Sequence, residues 1–457
     1  MKVFIAVALC RVLYFAGRLV GKGSSFPGMI ALKFCPDVLK RLKLPKTVIA
    51  VTGSNGKTST AELIARVLEG GGMKTGWNHE GSNQTEGVAT LLLRAATLKG
   101  AVKCNALVLE CDERYAKKIF EAVKPSVLVV TNLCRDQLSR NGHHEFIQDC
   151  LLAAIDAAGN STILVLNADD PYVAELGIRN SELGSGVIWF GAGSAFCTSH
   201  SAFIAQPRYD DGMFCPMCKG RMTYSYHVAG HYGDFRCKAC DFARPKPDVE
   251  AASIDYETGE IALILNSLPS TPTITTHIAT PSLVGAYNVA ASIAATMTAG
   301  LAAGQTARVL DKYELKGGRT IRLNVDGRDG VLLISKHENS FAYNQSMIWA
   351  VQQGKACTVI VLVDAISRKY FTSETSWLWD IDFDILADGI VKNVVLAGRY
   401  VNELASRFAL SSVAQEKIGY VEDVGALREY VQSHTSGEIY AVTCFSDRAK
   451  LLRELKN

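Results

Sequence analysis

The chain has 457 residues, of which 48% are hydrophobic and 20% are charged. This balance excludes an intrinsically disordered chain, and the length predicts two or three domains rather than a single core. The formal net charge is only +3, which gives no indication of the concentrated basic face that nucleic-acid binding needs.

Residues 1–45 are predicted to form an amphipathic, basic N-terminal segment. Residues 3–10 are an unbroken apolar run, but Arg11 and Arg18 interrupt the apolar stretch that continues to Val20. A membrane-spanning helix needs about 20 mostly apolar residues, and a charge near its centre is costly. Two alternatives stay open: a helix docked on the rest of the protein, or a helix on a membrane surface with Arg11, Arg18 and Lys22 near lipid headgroups.

Short apolar runs alternate with helical stretches from residue 47 onward, which is typical of a buried parallel sheet. The runs cover residues 48–51, 106–109, 127–130, 163–166 and 187–190. Helices are predicted over 58–69, 145–158 and 285–301. The pattern predicts a doubly wound α/β domain over residues 46–316, with a small inserted module at about 206–247.

The loop after the first strand has the features of a phosphate-binding loop. Residues 51–60 read VTGSNGKTST, so that a strand, a glycine-containing turn and a helix start follow one another. This arrangement aims backbone N–H groups and a helix N-terminus at an anion. Lys57 is suited to neutralise phosphates and the Thr58 hydroxyl to bind Mg²⁺. The predicted ATP and Mg²⁺ site in this loop comprises Gly53, Ser54, Asn55, Gly56, Lys57, Thr58 and Ser59.

The inserted module contains two CxxC pairs with eighteen residues between them. This spacing indicates a zinc ribbon, and a closed set of four thiolates indicates a structural Zn²⁺ site. The predicted ligands are Cys215, Cys218, Cys237 and Cys240. His227 and His231 are alternative ligands, although both are interpreted as ordinary surface histidines. The other nine cysteines are scattered singly, which favours reduced thiols over a disulfide framework.

A second, smaller α/β domain is predicted over residues 317–457. Gly317 and Gly318 mark a hinge, and apolar strands are predicted over 331–334, 358–363, 394–397 and 439–442 with helical segments between them.

The loop at residues 53–60 resembles the ATP loop of Mur ligases and folylpolyglutamate synthetases. Further segments that resemble Mur ligases follow in the family's order: 81–83, Glu110, 131–138, 167–171, 285–288 and 318–319. This resemblance implies that Glu110 binds a second Mg²⁺, that Asn288 contacts adenine and that Arg319 meets the phosphates.

Only 46 residues precede Thr47, too few for the UDP-binding domain of Mur ligases that use nucleotide-linked precursors. The short basic start, the Cys₄ ribbon and the SWLWD segment at 376–380 together resemble the amidating Mur ligases. That resemblance implies ATP-dependent conversion of D-glutamate in lipid II to D-isoglutamine through an acyl phosphate. It also implies a heterodimer with a GatD-like class I glutaminase, and a cytoplasmic location with a peripheral position at the plasma membrane as a further expectation.

The resemblance also implies that an aspartate of the C-terminal domain completes the partner's Cys–His pair. Asp364, which ends the strand 358–363, is the first candidate, with Asp380 and Asp382 as rivals. The alternative interpretation is a turn or capping aspartate. Two other functions stay open: a ligase that adds an amino acid to a carboxylate, and a nucleotide-binding regulatory subunit without turnover.

Overall fold

The computed structural model describes residues 1–19, 24–79, 82–182, 184–198, 211–279, 281–311, 313–315, 319–365 and 374–456. These residues divide into two compact units. The first comprises 1–133, 145–198 and 211–315, and the second comprises 134–144 and 319–456. The predicted hinge at Gly317 and Gly318 lies outside the described residues, as do Lys22, Gly81, residues 206–210 of the predicted insert and the side chain of Arg18.

The helices are α1 (Lys2–Leu19), α2 (Phe26–Phe34), α3 (Lys57–Gly70), α4 (Thr85–Ala95), α5 (Ala116–Phe120), α6 (Leu138–Asn141), α7 (His144–Ala158), α8 (Pro171–Glu182), α9 (Ala195–Thr198), α10 (Leu283–Thr298), α11 (Ala303–Leu310), α12 (Ser340–Gln352), α13 (Val401–Phe408), α14 (Leu427–His434) and α15 (Arg448–Lys456). Short 3₁₀ helices cover Val38–Arg41, Ser376–Asp380, Phe383–Ala387, Gln415–Lys417 and Val424–Ala426.

The strands are β1 (Thr47–Thr52), β2 (Thr75–Trp77), β3 (Ala106–Glu110), β4 (Val127–Val130), β5 (Ile163–Asn167), β6 (Val187–Ala192), β7 (Met222–Ala229), β8 (Tyr232–Cys237), β9 (Val249–Ile254), β10 (Glu260–Leu265), β11 (Thr273–His277), β12 (Thr320–Val325), β13 (Arg328–Ser335), β14 (Cys357–Leu362), β15 (Val391–Ala397), β16 (Ile418–Val421) and β17 (Glu438–Cys444).

The first unit is built on a nine-stranded sheet with the order β11-β10-β9-β6-β5-β4-β1-β3-β2. The pairs from β6 to β2 are all parallel, and the five predicted strands and the doubly wound fold are confirmed. Because β1 lies between β4 and β3, the chain crosses from one side of β1 to the other after β3. The crevice at the carboxyl ends of such strands is where this fold class binds ligands.

Three strands at one edge of this sheet were not predicted. β9 pairs with β6 in parallel, whereas β10 runs antiparallel to both of its neighbours, β9 and β11. In β10, buried and more exposed positions alternate, as expected of an antiparallel strand with one face packed on the core. A search for continuous apolar runs therefore missed this edge.

Within the first unit, helices α1 and α2 pack against α4. Ala6, Val7, Cys10 and Ala31 are buried in the same core as residues of α4. A Cβ at Gly28 would collide with the backbone of α4, so a glycine is needed for this close approach. The docked-helix alternative is confirmed, and none of the described helices is both long and apolar enough to cross a membrane.

Arg11 does not have the surroundings that the membrane-surface alternative predicted. Its guanidinium donates hydrogen bonds to the carbonyl oxygens of Arg94, at 3.3 Å, and of Ala96. Free carbonyls at a helix C-terminus attract a cation, so Arg11 stabilises the end of α4. Its guanidinium is thus committed to the protein rather than to lipid headgroups.

The second unit has a six-stranded sheet with the order β12-β13-β17-β14-β15-β16. β12 and β13 are antiparallel, and the other pairs are parallel. The four predicted strands correspond to β13, β14, β15 and β17, while β12 and β16 were missed. Apolar clusters lie on both faces of the sheet, which confirms a second α/β domain.

Candidate functional site

The phosphate loop connects β1 to α3 and contains two glycines in the left-handed region. Their φ angles are 122° at Gly53 and 82° at Gly56. Residues that carry a side chain rarely adopt such φ values. A Cβ at Gly56 would also meet the side-chain oxygen of Asn288. The first turn of α3, which begins at Lys57, has N–H groups without acceptors in the helix. The loop therefore offers donors and a positive helix end to an anion.

The loop after β4 holds the phosphate loop in place. Asn132 accepts hydrogen bonds from Ser54 N through its carbonyl oxygen, at 2.8 Å, and from Asn55 N through Oδ1, at 2.9 Å. Its Nδ2 donates to the carbonyl oxygen of Asn55 at 3.1 Å, and the Thr131 hydroxyl donates to the same oxygen at 2.6 Å. Thr131 and Asn132 begin the segment 131–138 that resembles Mur ligases, and their side chains fix the loop backbone.

Lys57 is buried and forms an ion pair. Its ammonium group lies 2.5 Å from Oε1 of Glu113, which is also buried, and it donates to the carbonyl oxygen of Gly53. Glu113 was not among the predicted site residues. The sequence did contain a signal, because Glu110, Asp112 and Glu113 place three carboxylates within four residues at the end of a buried strand.

Glu110 ends β3 in a buried position beside two asparagines. Its Oε1 accepts a hydrogen bond from Asn83 Nδ2 at 3.1 Å. Its backbone N–H and carbonyl both pair with the side chain of Asn78 at 2.8 Å. Carboxylate and amide oxygens suit Mg²⁺, so a buried carboxylate with a fixed backbone at this strand end fits the predicted metal role.

Asn288 lies in α10, beside the phosphate loop. It is buried, and its Oδ1 accepts a hydrogen bond from the Thr60 hydroxyl at 3.2 Å. The helix begins at Leu283, so Asn288 belongs to the second turn rather than to the helix start. A contact between Asn288 and adenine stays a prediction.

The four predicted zinc ligands converge. Their sulfur atoms all lie within 4.8 Å of one another; Cys215 and Cys240 are 3.8 Å apart, and Cys218 and Cys237 are 3.5 Å apart. A tetrahedral zinc ion with Zn–S bonds of about 2.3 Å requires sulfur atoms roughly 3.8 Å apart. The cluster therefore fits a four-thiolate zinc ion. The twelve cysteines whose side chains the structure describes are all free of disulfide bonds.

The interpretation of His231 as a surface histidine is wrong. Its ring is buried, and Nε2 donates to the carbonyl oxygen of Leu133 at 2.9 Å. Burial lowers the pKa of His231, but the Asp170 carboxylate and the Leu133 carbonyl outweigh this effect and raise it overall. His227 instead contacts Gly230 within the β7–β8 turn, through Nδ1 at 3.0 Å. Neither histidine belongs to the cysteine cluster.

In the second unit, the segment 134–144 is bound by residues that follow β13. Asp136 accepts a hydrogen bond from Asn339 Nδ2 at 2.8 Å and pairs with Lys336 at 3.2 Å. The carboxylate of Glu338 accepts from the Ser139 N–H at 2.9 Å and from its hydroxyl at 2.7 Å. Asn339 and Glu338 were not predicted as site residues, and no pattern around them distinguishes them from ordinary turn residues.

Asp364 follows β14, and its partly buried carboxylate is held on both sides. Oδ1 accepts from the Arg399 N–H at 3.0 Å, and Oδ2 pairs with Lys450 at 2.7 Å. The backbone N–H of Asp364 donates to Asp447 at 2.9 Å, and burial raises the pKa of Asp447. Two contacts thus fix the direction of the Asp364 side chain, and a third holds its backbone.

The two rival aspartates have structural partners. Asp380 forms an ion pair with Arg135 at 2.8 Å, and Asp382 caps a 3₁₀ helix by accepting from the Asp384 N–H at 3.2 Å. Arg319 also belongs to the second unit, where its guanidinium lies 5.5 Å from the ring centre of Phe445. Whether Arg319 meets phosphates stays a prediction.

Comparisons with known proteins agree with this architecture. A family model described as "Mur ligase middle domain" matches residues 51–234, and one described as "MurT ligase C-terminal" matches residues 337–447. The chain is 27% identical to "Lipid II isoglutaminyl synthase (glutamine-hydrolyzing) subunit MurT" of Staphylococcus aureus strain N315 over 90% of this chain and 89% of the relative. It is 25% identical to the protein of the same name from Streptococcus pneumoniae, over 98% of this chain and 95% of the relative.

The chain is similar to MurT proteins over nearly its whole length, and its middle part matches the Mur ligase family model. A solved pseudomurein peptide ligase type C from Methanothermus fervidus shares its fold, with a TM-score of 0.70 and 19% identity over 92% of this chain and 80% of that chain. The resemblance to Mur ligases is thereby confirmed. The individual roles assigned to the site residues stay predictions.

A buried aspartate links the ribbon module of this chain to the sheet. Oδ1 of Asp169 accepts from Arg244 Nε at 2.6 Å, and Oδ2 accepts from the Tyr287 hydroxyl at 2.6 Å and the Ala192 N–H at 2.7 Å. Burial raises the pKa of Asp169, and the Arg244 guanidinium opposes that shift. Gly233, in β8, also donates to the carbonyl oxygen of Asp169 at 3.0 Å.

These contacts connect the ribbon to the walls of the candidate ATP site. Tyr287 immediately precedes Asn288, and His231 reaches Leu133, which immediately follows Asn132. The module is therefore linked to the two segments that flank the phosphate loop, through His231 to one and through Asp169 to the other, which suits a structural role for the cysteine cluster.

We expect one zinc ion per chain. Replacing Cys237 and Cys240 together by serine removes two of four ligands and should reduce the zinc content from one per chain to none, because two remaining thiolates cannot complete a tetrahedral site. Elemental analysis of the purified protein measures this. The matched control replaces Cys104 and Cys150, which lie outside the cluster, and should keep its zinc. Undiminished zinc in the first variant would reject the site.

Arg244→Leu should lower the free energy of unfolding by about 3–5 kcal/mol, because it leaves the Asp169 carboxylate buried without a cation. Chemical denaturation measures the change. Arg236→Leu is the control, since Arg236 is exposed on β8. Adding Asp169→Asn to Arg244→Leu should recover much of the loss by removing the unpaired charge. Equal losses for Arg244→Leu and Arg236→Leu would contradict the importance of the buried pair.

Proposed function

We propose that this chain is the ATP-dependent ligase subunit of a lipid II isoglutaminyl synthase. It converts the α-carboxylate of D-glutamate in the stem peptide of lipid II into the amide of D-isoglutamine, at the inner face of the plasma membrane. The observation that carries this proposal is likeness over nearly the whole chain to two proteins of that name, including the MurT-type C-terminal domain. The buried Lys57 in a glycine-containing phosphate loop supports ATP use.

The reaction has two steps. An oxygen of the substrate carboxylate attacks the γ-phosphorus of ATP, which gives an acyl phosphate and releases ADP. The nitrogen of ammonia then attacks the acyl carbon, inorganic phosphate leaves, and a proton is lost from nitrogen. Both steps need charge on the phosphoryl group to be offset while water is kept away.

Lys57 is the residue that meets this need at the loop. Its ammonium is already desolvated and oriented by Glu113 and Gly53, so little reorganisation is required when phosphates enter. Mg²⁺, held by Thr58 and Glu110, would draw charge from the phosphate oxygens, and Arg319 would contribute a further cation. Asn288, beside Gly56, would contact the adenine of the nucleotide.

The ammonia comes from a second subunit, a GatD-like class I glutaminase that forms a heterodimer with this chain. The relatives' names describe a glutamine-hydrolysing enzyme with MurT as one subunit, which supports a partner that hydrolyses glutamine.

The Cys₄ cluster holds Zn²⁺ and has a structural role.

The decisive assay supplies the purified pair with lipid II, ATP and glutamine and follows the product by mass spectrometry. Amidation changes a hydroxyl into an amino group, whereas addition of an amino acid adds the mass of a residue. The second outcome would replace this proposal with an amino-acid-adding ligase. ATP hydrolysis that does not depend on lipid II, without any product, would favour a regulatory subunit.

Lys57→Ala should reduce amidation by a factor of about 10²–10³, the usual effect of losing one electrostatic contact in the transition state. Because Glu113 is then left buried and unpaired, a second variant carries Lys57→Ala with Glu113→Gln, and the melting temperature of each is compared with the wild type. Lys118→Ala, at an exposed position on α5, is the control. A folded Lys57→Ala protein with near-normal amidation would exclude the phosphate-loop assignment.

We also propose that Asp364 completes the catalytic Cys–His pair of the glutaminase by orienting the histidine, as the third member of a triad does. Its carboxylate keeps some exposure and a fixed direction at the carboxyl end of β14. Asp380, which pairs with Arg135, and Asp382, which caps a 3₁₀ helix, stay the rival candidates.

Asp364→Asn should abolish amidation with glutamine and leave amidation with concentrated ammonium intact, since only ammonia supply is affected. The matched control is Asp423→Asn, because Asp423 follows β16 of the same sheet and caps a 3₁₀ helix. Equal activity of Asp364→Asn with both nitrogen sources would move the role to Asp380 or Asp382. Loss with both sources would assign Asp364 to the ligase reaction instead.

A further inference from the structure

The positive charge of this chain is concentrated at its N-terminus. Residues 1–46 contain nine basic residues and one acidic residue, Asp37, a net charge of +8. The whole chain carries +3, so the other 411 residues carry a net charge of −5. A local excess of this kind attracts an anionic partner even though the protein as a whole is nearly neutral.

The same segment exposes apolar side chains. Of the sixteen large apolar residues that are exposed in the described part of the chain, seven lie within the first 34 residues: Met1, Phe4, Ile5, Val12, Phe15, Phe26 and Phe34. The other nine are scattered over the rest of the chain. Single exposed apolar residues are ordinary, but a concentrated group indicates an interaction surface.

Helix α1 has two apolar faces. Val7, Cys10 and Tyr14 are buried against the first unit. On the other side, residues 1, 5, 8, 12 and 15 follow one another at spacings of four and three, so they share a face. Val12 is 66% exposed and Phe15 79% exposed. The exposed large apolar residues on this face and beside it are Met1, Phe4, Ile5, Val12 and Phe15. We call these five residues the N-terminal stripe.

The stripe is held rigidly on the surface of the first unit. Arg11 is hydrogen-bonded to the end of α4, and the Arg94 guanidinium lies 3.3 Å from the ring centre of Tyr14. Since one side of α1 is committed to the protein, only its other side is available to a partner. The helix can therefore lie along an apolar surface without having to leave the domain.

We infer that the N-terminal stripe docks this protein on an anionic lipid bilayer. An amphipathic helix that lies in a membrane interface combines apolar side chains, which enter the acyl boundary, with basic residues that attract anionic headgroups. Lys2, beside Met1 of the stripe, and Lys33, beside the exposed Phe34, are exposed and supply such charge. A second copy of this chain is the less favourable occupant, because it would bring two segments of net charge +8 together.

Docking of this kind adds to the proposed function a way of reaching a lipid-linked substrate. The activity measurement described below rests on the proposed function. A lipid-linked substrate diffuses in two dimensions, and an enzyme held flat on the same surface meets it without leaving the membrane. Binding of vesicles, in contrast, does not depend on what the ligase acts on. The two ideas can therefore fail separately.

The test is co-sedimentation of the full chain with vesicles that contain phosphatidylglycerol and phosphatidylcholine in equal parts, compared with phosphatidylcholine alone. Wild type should pellet with the anionic vesicles. Val12→Ser with Phe15→Ser should reduce the partition coefficient at least about tenfold, because two large apolar side chains no longer contribute apolar surface to be buried in the bilayer. Leu410→Ser with Tyr420→Ser, at exposed positions of the second unit, is the matched control and should bind as wild type.

Three results would overturn the inference. Absence of wild-type binding to the anionic vesicles rejects it. Equal binding by the stripe variant and the wild type also rejects it. A stripe variant that differs from wild type only in self-association, measured by sedimentation velocity without vesicles, would assign the stripe to a contact between copies.

The activity arm compares lipid II in anionic vesicles with a soluble stem peptide that lacks the lipid. The stripe variant should lose amidation of the vesicle-bound substrate and keep amidation of the soluble one. If neither substrate is amidated by wild type, the proposed function fails while the vesicle result still decides the docking inference.

Discussion

The hydrogen bonds between Asn132 and the phosphate loop are the constraint on which the rest of the candidate site depends. Two glycines in the left-handed region give this loop great conformational freedom in the unfolded chain, and three hydrogen bonds from one asparagine remove it. Asn132 reaches the loop because β4 is the direct neighbour of β1. With the loop fixed, Lys57 can remain buried on Glu113 at the end of the neighbouring β3. The strand order thus determines where the charges of Lys57 and Glu113 lie.

The ribbon module adds further contacts to the segments that hold the phosphate loop. Its own apolar cluster is small and includes Ala174 of α8, so the module depends on contacts with the sheet and, as we propose, on a metal ion at its four cysteines. Those contacts are polar and buried: Arg244 on Asp169, and His231 on Leu133. Buried polar groups are costly unless all are paired, and paired groups fix a unique arrangement. The inserted module therefore positions the segments around the phosphate loop more sharply than apolar packing would.

Local patterns predicted most of the fold and the centre of the site. Buried parallel strands are continuous apolar runs, and a phosphate loop is one contiguous segment, so both can be recognised without tertiary information. Glu113 was missed because its partner, Lys57, is 56 residues away in sequence and only the sheet order brings them together. His231 was misread for a related reason: nothing near it in sequence indicates that the β7–β8 hairpin packs on the loop after β4. Long-range polar contacts of this kind have no periodic signature.

The N-terminal helix shows why two alternatives were left open there. Residues 3–10 are all apolar, so this run gives no sequence signal for which face of the helix is buried, and a docked helix and a surface helix both fit it. The structure removes the ambiguity by using one face: Val7, Cys10 and Tyr14 enter the core, while Val12 and Phe15 remain exposed. Exposed apolar groups do not stabilise the fold of the chain that carries them. Their concentration beside a net charge of +8 is the observation from which we infer docking on a membrane, and under that inference the two alternatives describe the two faces of one helix.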